Sequence, residues 1–264
     1  MNYDRYKALN IEKKDAVLTI TIDRPEARNA VNPQMHEEFS HIFLDAGRDP
    51  EVSVVVLTGS GDAFSAGGDI DWLLALDGDL SATAASIEND RRIQNALLDL
   101  EKPIIARVVG PAVGLGCSLA LFCDFVYATP DARFADPHVA IALVAGDGGA
   151  VIWPQLVGYA RARKYLLTGD PISGSEAADI GLITEAVPRE QIDETVDAMA
   201  KRMANAATLA VKWTKSSINA GLKVTANAII DRAAAYENLS MLTEDHRIAV
   251  EAFSTRSKPQ FVGR

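Results

Sequence analysis

Two runs of aliphatic and β-branched residues constrain this chain more than anything else in it. Ser53–Gly59 reads SVVVLTG and Pro103–Gly110 reads PIIARVVG. Neither alternates polar with apolar residues, and each stops at a glycine. Strands of this kind are buried on both faces, as in a parallel sheet covered by helices. Between them, ATAASIENDRRIQNALLDLE has a helical period. Ala16–Asp23 (AVLTITID) alternates like a half-buried strand. In NPQMHEEFSHIFLDA, Asn32 is placed to cap a helix and Pro33 to occupy its first position. GLGCSLALFC reads as a further helix and DFVYA as a further strand. Strands separated by helices define an α/β class. From Gly174 onward the pattern is mostly helical, with a strand candidate in GLITEAV, so roughly the last 75 residues read as a helical extension.

A chain of 264 residues can bury one large core. Its net charge of −10 argues against nucleic acid as a partner, because phosphate neutralisation needs a basic footprint. A small anionic ligand needs only a few local cations and stays open. Cys117 and Cys123 lie in an apolar run, which reads as buried thiols in a reducing compartment. No apolar run is long enough to span a membrane, and no leader pattern opens the chain. The expected location is cytoplasmic.

Several catalytic motifs almost match. HEEFSH has one residue too many for a metalloprotease helix. His36 and His41 would lie about 140° apart around a helix and could not share a metal, so both read as solvated helix residues. GSGDAF has two glycines of a dinucleotide fingerprint but Phe64 in place of the third. AFSAG has Ala63 where a nucleophile elbow around Ser65 needs glycine. No motif calls for a metal.

Two junctions carry more. VVVLTGSGDAFSAGGDI and ARVVGPAVGLGCSLA each place small residues between a buried strand and a helix. Ala66, Gly67 and Gly68 leave backbone that a ligand can approach, and Gly114, Leu115 and Gly116 do the same at a helix start. Two N–H groups converging there would hold a developing oxyanion. The alternative is that these glycines only make tight turns. A third stretch, DPHVAIALVAGDGG, places His138 after a proline and Asp147 between glycines, across an apolar run. It reads either as a buried strand and turn or as a base with its partner.

IDRPEARNAV, GSGDAFSAGGDI, GPAVGLGCSLALFCDFVYA, RARKYLLTGDPISGSEAADIGLITEAV and the terminal AFSTRSKPQF, taken in order, resemble the enoyl-CoA hydratase/isomerase (crotonase) superfamily. The resemblance implies a spiral of ββα units over residues 1–190 and a helical trimerisation region over 191–264, assembled as trimers or pairs of trimers. It implies a coenzyme A thioester substrate, with no other cofactor, and an enolate held by the N–H groups of Gly68 and Leu115. Arg24 and Arg28, with Ala66, Gly67, Asp69, Ile70 and the terminal Lys258, fall where the family meets its CoA ester.

The departures sharpen the third stretch. Hydratases of the family carry two catalytic glutamates; the resemblance puts Ser118 and His138 in those places. PHVAIALVAGDGGAVIWP is similar instead to 6-oxocamphor hydrolase, a superfamily member that cleaves a β-diketone without CoA. That likeness implies His138, Asp147 and Glu237 as the acid–base set, with His138 the base because its ordinary pKa of about 6.5 suits proton transfer from water. Three functions follow: an enoyl-CoA hydratase-like enzyme with altered acid–base residues, a β-diketone hydrolase, or a non-catalytic CoA-ester binder. The first is preferred, since the match includes the CoA-facing segments.

Overall fold

The structure is a computed structural model that describes residues 1–76, 79–255 and 257–264. Arg256 and the side chains of Phe253 and Ser254, all in the terminal motif, lie outside the described residues. The chain opens with β1 (Leu9–Lys14) and β2 (Val17–Ile22), followed by α1 (Pro33–Arg48) and β3 (Val54–Gly59). Asn32 caps α1 as its sequence predicts: its side chain accepts the Met35 N–H at 2.9 Å, a contact worth about 1 kcal/mol. Next come α2 (Ile70–Leu76), α3 (Leu80–Asp99), β4 (Ile104–Val108), β5 (Pro111–Val113) and α4 (Leu115–Leu121). β6 (Phe125–Ala128), β7 (Arg133–Ala135), α5 (Gly149–Thr168), β8 (Ile172–Ser173), α6 (Gly174–Asp179) and β9 (Glu185–Ala186) follow. The chain closes with α7 (Ile192–Ala204), α8 (Thr208–Met241) and α9 (Glu244–Thr255).

The larger sheet has the order β1-β2-β3-β4-β6-β9. β1 and β2 pair antiparallel, and every later pair in it is parallel. Val54, Val55, Val56 and Leu57 of β3 are all buried, which is why that run never alternates. The smaller sheet, β5-β7-β8, was not legible in the sequence, because strands of two or three residues carry no period. It explains the architecture. β4 lies in the large sheet, β5 in the small one, and α4 follows; β6, β7 and α5 repeat the pattern. The chain therefore winds as a spiral of ββα units, with a helical C-terminal region, as the resemblance implies.

The stretch after β7 differs from the strand-and-turn reading. Residues His138–Ile141 form a 3₁₀ turn, ended by Ala142 in the left-handed region (φ 55°). Pro137 supplies no N–H to a ladder, so the chain leaves β7 there. α8 is more than an appendage. It packs on α3 and α5 and brings Glu237 into the interior. No described helix is long and apolar enough to cross a membrane.

Candidate active site

A cavity of about 460 Å³ opens where the two small-residue junctions meet. An isolated bridge joins Ser65 to Ala112, and Val113 donates to the Ser65 carbonyl at 3.0 Å, so the junctions are held backbone to backbone. Gly68 bridges Val31, but the bonds of that bridge run from Val31 N to Gly67 O and from Asp69 N to Val31 O. The Gly68 N–H is left over. Leu115 is the first residue of α4, where an N–H has no partner within the helix. Neither N–H has an acceptor among the described residues, and both residues line the cavity. These are the two residues whose N–H groups the family resemblance implies as donors.

His138, Asp147 and Glu237 line the same cavity. They come from the turn after β7, the loop before α5 and the C-terminal end of α8 respectively. His138 Nε2 is 3.4 Å from Asp147 Oδ2 and 4.0 Å from Glu237 Oε1. Its Nδ1 bonds Asp136, which is 2% exposed. Ser118 donates to Asp147 Oδ1 at 3.0 Å. The glycines around Asp147 permit this convergence: a Cβ on Gly149 would lie 1.8 Å from Asp136 Oδ2, and one on Gly146 would lie 2.2 Å from Glu237 Oε2. Any side chain at either place would push the loop away from its carboxylate partners.

The electrostatics alter the expected roles. Burial alone would lower the His138 pKa, but Asp147, Asp136 and Glu237 outweigh it and hold the imidazole well above its ordinary value. His138 is thus kept charged near neutrality and is not the free base that its ordinary pKa suggests. Burial pushes Asp147 up to about 6, opposed by the His138 charge and the Ser118 hydroxyl and assisted by Asp136 and Asp90. Burial and then Asp90 push Glu237 well above the usual carboxylate range, against the pull of His138. Its Oε2 is buried without a hydrogen-bond partner, a setting in which a carboxyl keeps its proton. The cluster therefore offers an ionised carboxylate with a pKa near working pH, a protonated imidazole and a protonated carboxyl. Asp136, His138 and Asp147 also offer ligand atoms within 4.8 Å of one another. Both imidazole nitrogens already face carboxylates, which is a proton-sharing arrangement.

The other expected residues divide. Ala66, Gly67, Asp69 and Ile70 line the cavity. Arg24, Arg28 and Lys258 do not. Arg24 is committed inside the protein, to Asp69 at 2.9 Å and to the Ala30 carbonyl at 2.7 Å. Arg28 and Lys258 are exposed, without ion-pair partners among the described residues. Cys117 and Cys123 are free, buried and raised in pKa by that burial, so neither is a thiolate at neutral pH. His36 corrects the solvated-helix reading: it is 2% exposed, lines the cavity and sits 2.7 Å from Asp90. Asp136 and Asp90 were missed outright. Asp136 stands two residues before His138, and that spacing was the one available signal.

Comparison with known proteins gives the family of the chain. Residues 12–264 match the model of the family described as enoyl-CoA hydratase/isomerase. A crotonyl-CoA hydratase of Syntrophomonas wolfei is 33% identical, over 98% of this chain and 99% of that protein. The crystal structure of an enoyl-CoA hydratase/isomerase from Mycobacterium paratuberculosis superposes with a TM-score of 0.90 at 36% identity, covering 92% of this chain and 97% of the other. A β-diketone hydrolase from the cyanobacterium Anabaena, bound to (S)-3-oxocyclohexyl acetic acid, superposes with a TM-score of 0.84 at 27% identity, over 91% of this chain and 96% of that one.

Proposed function

The chain belongs to the enoyl-CoA hydratase/isomerase family, and we propose that it adds water to a 2-enoyl-CoA thioester through an enolate. One observation carries this reading: the unpartnered N–H groups of Gly68 and Leu115 line one cavity with the His138 cluster. The thioester oxygen accepts both N–H bonds, which tighten as it takes negative charge; a donor of this kind contributes about 10²–10³ in rate. Asp147, ionised at neutral pH, takes a proton from water as the water oxygen bonds to the β-carbon. The α-carbon of the enolate then takes a proton from Glu237 or from the His138 imidazolium. Asp136 fixes the ring, and Ser118 fixes the carboxylate. These groups replace the two glutamates that the family resemblance leads one to expect.

The convergence of His138, Asp147 and Glu237, together with the likeness to the Anabaena hydrolase, favours a second reading. In it, water activated by the same cluster adds to one carbonyl of a β-diketone. The C–C bond between the carbonyls then breaks, and the released enolate is held by the same N–H pair until its carbon is protonated. The CoA portion would meet Arg28 and Lys258 in the first reading and be absent in the second. The helical region 191–264 is assigned the subunit contacts of a trimer or pair of trimers; exposed Trp213, Ile218, Val224 and Leu239 on α8 support this.

The test offers crotonyl-CoA and a cyclic β-diketone to the same preparation. Turnover of crotonyl-CoA is the expected result. Turnover of the diketone alone selects the hydrolase, and binding of a CoA ester without any turnover selects a non-catalytic binder.

A further inference from the structure

A second polar group in the cavity wall takes no part in the chemistry above. His36 of α1, Trp72 of α2, and Ser86 and Asp90 of α3 all line the cavity. The His36 ring lies 4.9 Å from the Trp72 ring, and its Nε2 is fixed by Asp90 Oδ1 at 2.7 Å. Ser86 is only 8% exposed as a residue, and its hydroxyl, which has no hydrogen-bond partner among the described residues, is open to the cavity and not sealed inside the protein.

These residues restrict what the cavity can take. An unsubstituted alkyl chain seated here would exclude water from Ser86 and from the His36–Asp90 pair while returning no hydrogen bond. A carboxylate would face Asp90, and also Asp69, Asp71 and Asp147, which line the same cavity. Asp90 already reaches the chemical cluster electrostatically, raising both Asp147 and Glu237. An uncharged oxygen satisfies the wall without that repulsion.

We infer that Ser86 and the Asp90-anchored His36 form a specificity subsite for an uncharged oxygen function, a carbonyl or hydroxyl, on the acyl group of the substrate. The inference rests on the enolate reading of the cavity and deepens it: the natural acyl group is oxygen-bearing, and is neither a plain fatty chain nor a dicarboxylic half-ester. A site built to bond such an oxygen discriminates strongly against the analogue that lacks it.

Titration calorimetry with saturated, unreactive esters tests this: hexanoyl-CoA, 5-oxohexanoyl-CoA and glutaryl-CoA, against wild type, Ser86→Ala and His36→Phe. Wild type is expected to bind the oxo ester about ten-fold more tightly than hexanoyl-CoA, with glutaryl-CoA no better than hexanoyl-CoA. Both variants bring the oxo-to-plain ratio toward one. If His36→Phe, which strands Asp90, does not fold, Ser86→Ala reads the ratio alone. Equal affinities in wild type, an unchanged ratio in Ser86→Ala, or tightest binding of glutaryl-CoA overturns the subsite. If no CoA ester binds, the CoA reading fails separately, and cyclohexane-1,3-dione becomes the probe. An approximately ten-fold loss of its affinity in Ser86→Ala then supports the subsite, and no loss or no binding overturns it.

Discussion

Ser118 donates a hydrogen bond to Asp147 across 3.0 Å, joining the start of α4 to the loop before α5. The place where the family resemblance leads one to expect a glutamate thus steers a carboxylate that comes from elsewhere in the chain. In the proposed mechanism the contact makes Ser118 a positioning residue. The hydroxyl favours the ionised form of Asp147, so Ser118→Ala raises that pKa further. We expect kcat at neutral pH to fall about three- to ten-fold, the scale of a lost hydrogen bond. The acidic limb of the pH–rate profile should move to higher pH, and Ser118→Thr should restore it. A profile unmoved in Ser118→Ala would mean that Asp147 is oriented without Ser118.

The N–H pair can be tested at Leu115. This residue is the first of α4, where proline is tolerated, and Gly114 before it (φ 51°, ψ −124°) has no Cβ for the ring to meet. Leu115→Pro therefore removes one N–H at little cost to the helix. Turnover should drop by about 10²–10³, while Leu115→Ala keeps most of it. Circular dichroism confirms that each variant is folded. A folded proline variant with wild-type turnover would remove Leu115 from the list of donors.

Charge at the CoA end separates the cations. Arg24 is tied to Asp69 and Ala30, so its loss disturbs the fold before it disturbs binding. Arg28 and Lys258 are exposed and unpaired among the described residues. Replacing either with Ala should weaken CoA-ester binding roughly two- to five-fold at low salt, as expected for solvent-exposed charge pairs. The loss should shrink as salt screens the phosphates. Wild-type affinity that ignores salt would place the CoA phosphates elsewhere or favour the CoA-free hydrolase.

Which parts were legible follows from range. β3 and β4 announce themselves because burial on both faces leaves an unbroken apolar run. Asn32 announces α1 because a cap acts within three residues. α5 was hidden: Pro154 lies inside it and Gly158 leaves helical geometry (φ 74°, ψ 161°), so no clean period survives. In the site, Gly68, Leu115, His138, Asp147 and Glu237 were reachable through motif resemblance. The His36–Asp90 pair was not, because its partners stand 54 residues apart and each looks like an ordinary helix residue in its own segment. The direction of the His138 shift was equally hidden, since it depends on three carboxylates that only the fold assembles around it.

Stability should carry the signature of Asp147. Its pKa rises from an ordinary 3.8 to about 6 on folding, so the folded state holds the proton more tightly. The stability linked to that proton is fully present below about pH 4 and lost as pH rises through about 6. About two pKa units at about 1.4 kcal/mol each give up to about 3 kcal/mol across the window. Asn cannot titrate, and the His138 ring keeps its bond to Asp136 in the variant. Asp147→Asn should therefore gain on wild type, by denaturant titration, as pH is raised from 5 to 7.5. A constant difference between the two proteins over this range would mean that Asp147 does not titrate there.

The sharpest test is of the acid–base set itself. If Asp147 accepts the proton from water, wild-type kcat must rise with pH through about 6, where that carboxylate ionises. Asp147→Asn removes the acceptor and should abolish this limb while lowering kcat by about 10²–10⁴. His138→Ala removes the cation that opposes Asp147 protonation, as well as one proton donor. It should lower kcat on the same scale and displace the limb upward, because Asp147 then loses its main source of charge stabilisation. Glu237→Gln keeps the shape and the hydrogen-bonding capacity but cannot release a proton to carbon; its effect should fall on kcat far more than on KM. Each variant is assayed on crotonyl-CoA and on a cyclic β-diketone, so the same profiles also fix the reaction class. Near wild-type turnover in both the His138 and Asp147 variants, on whichever substrate the wild type converts, would leave this cluster as structure alone.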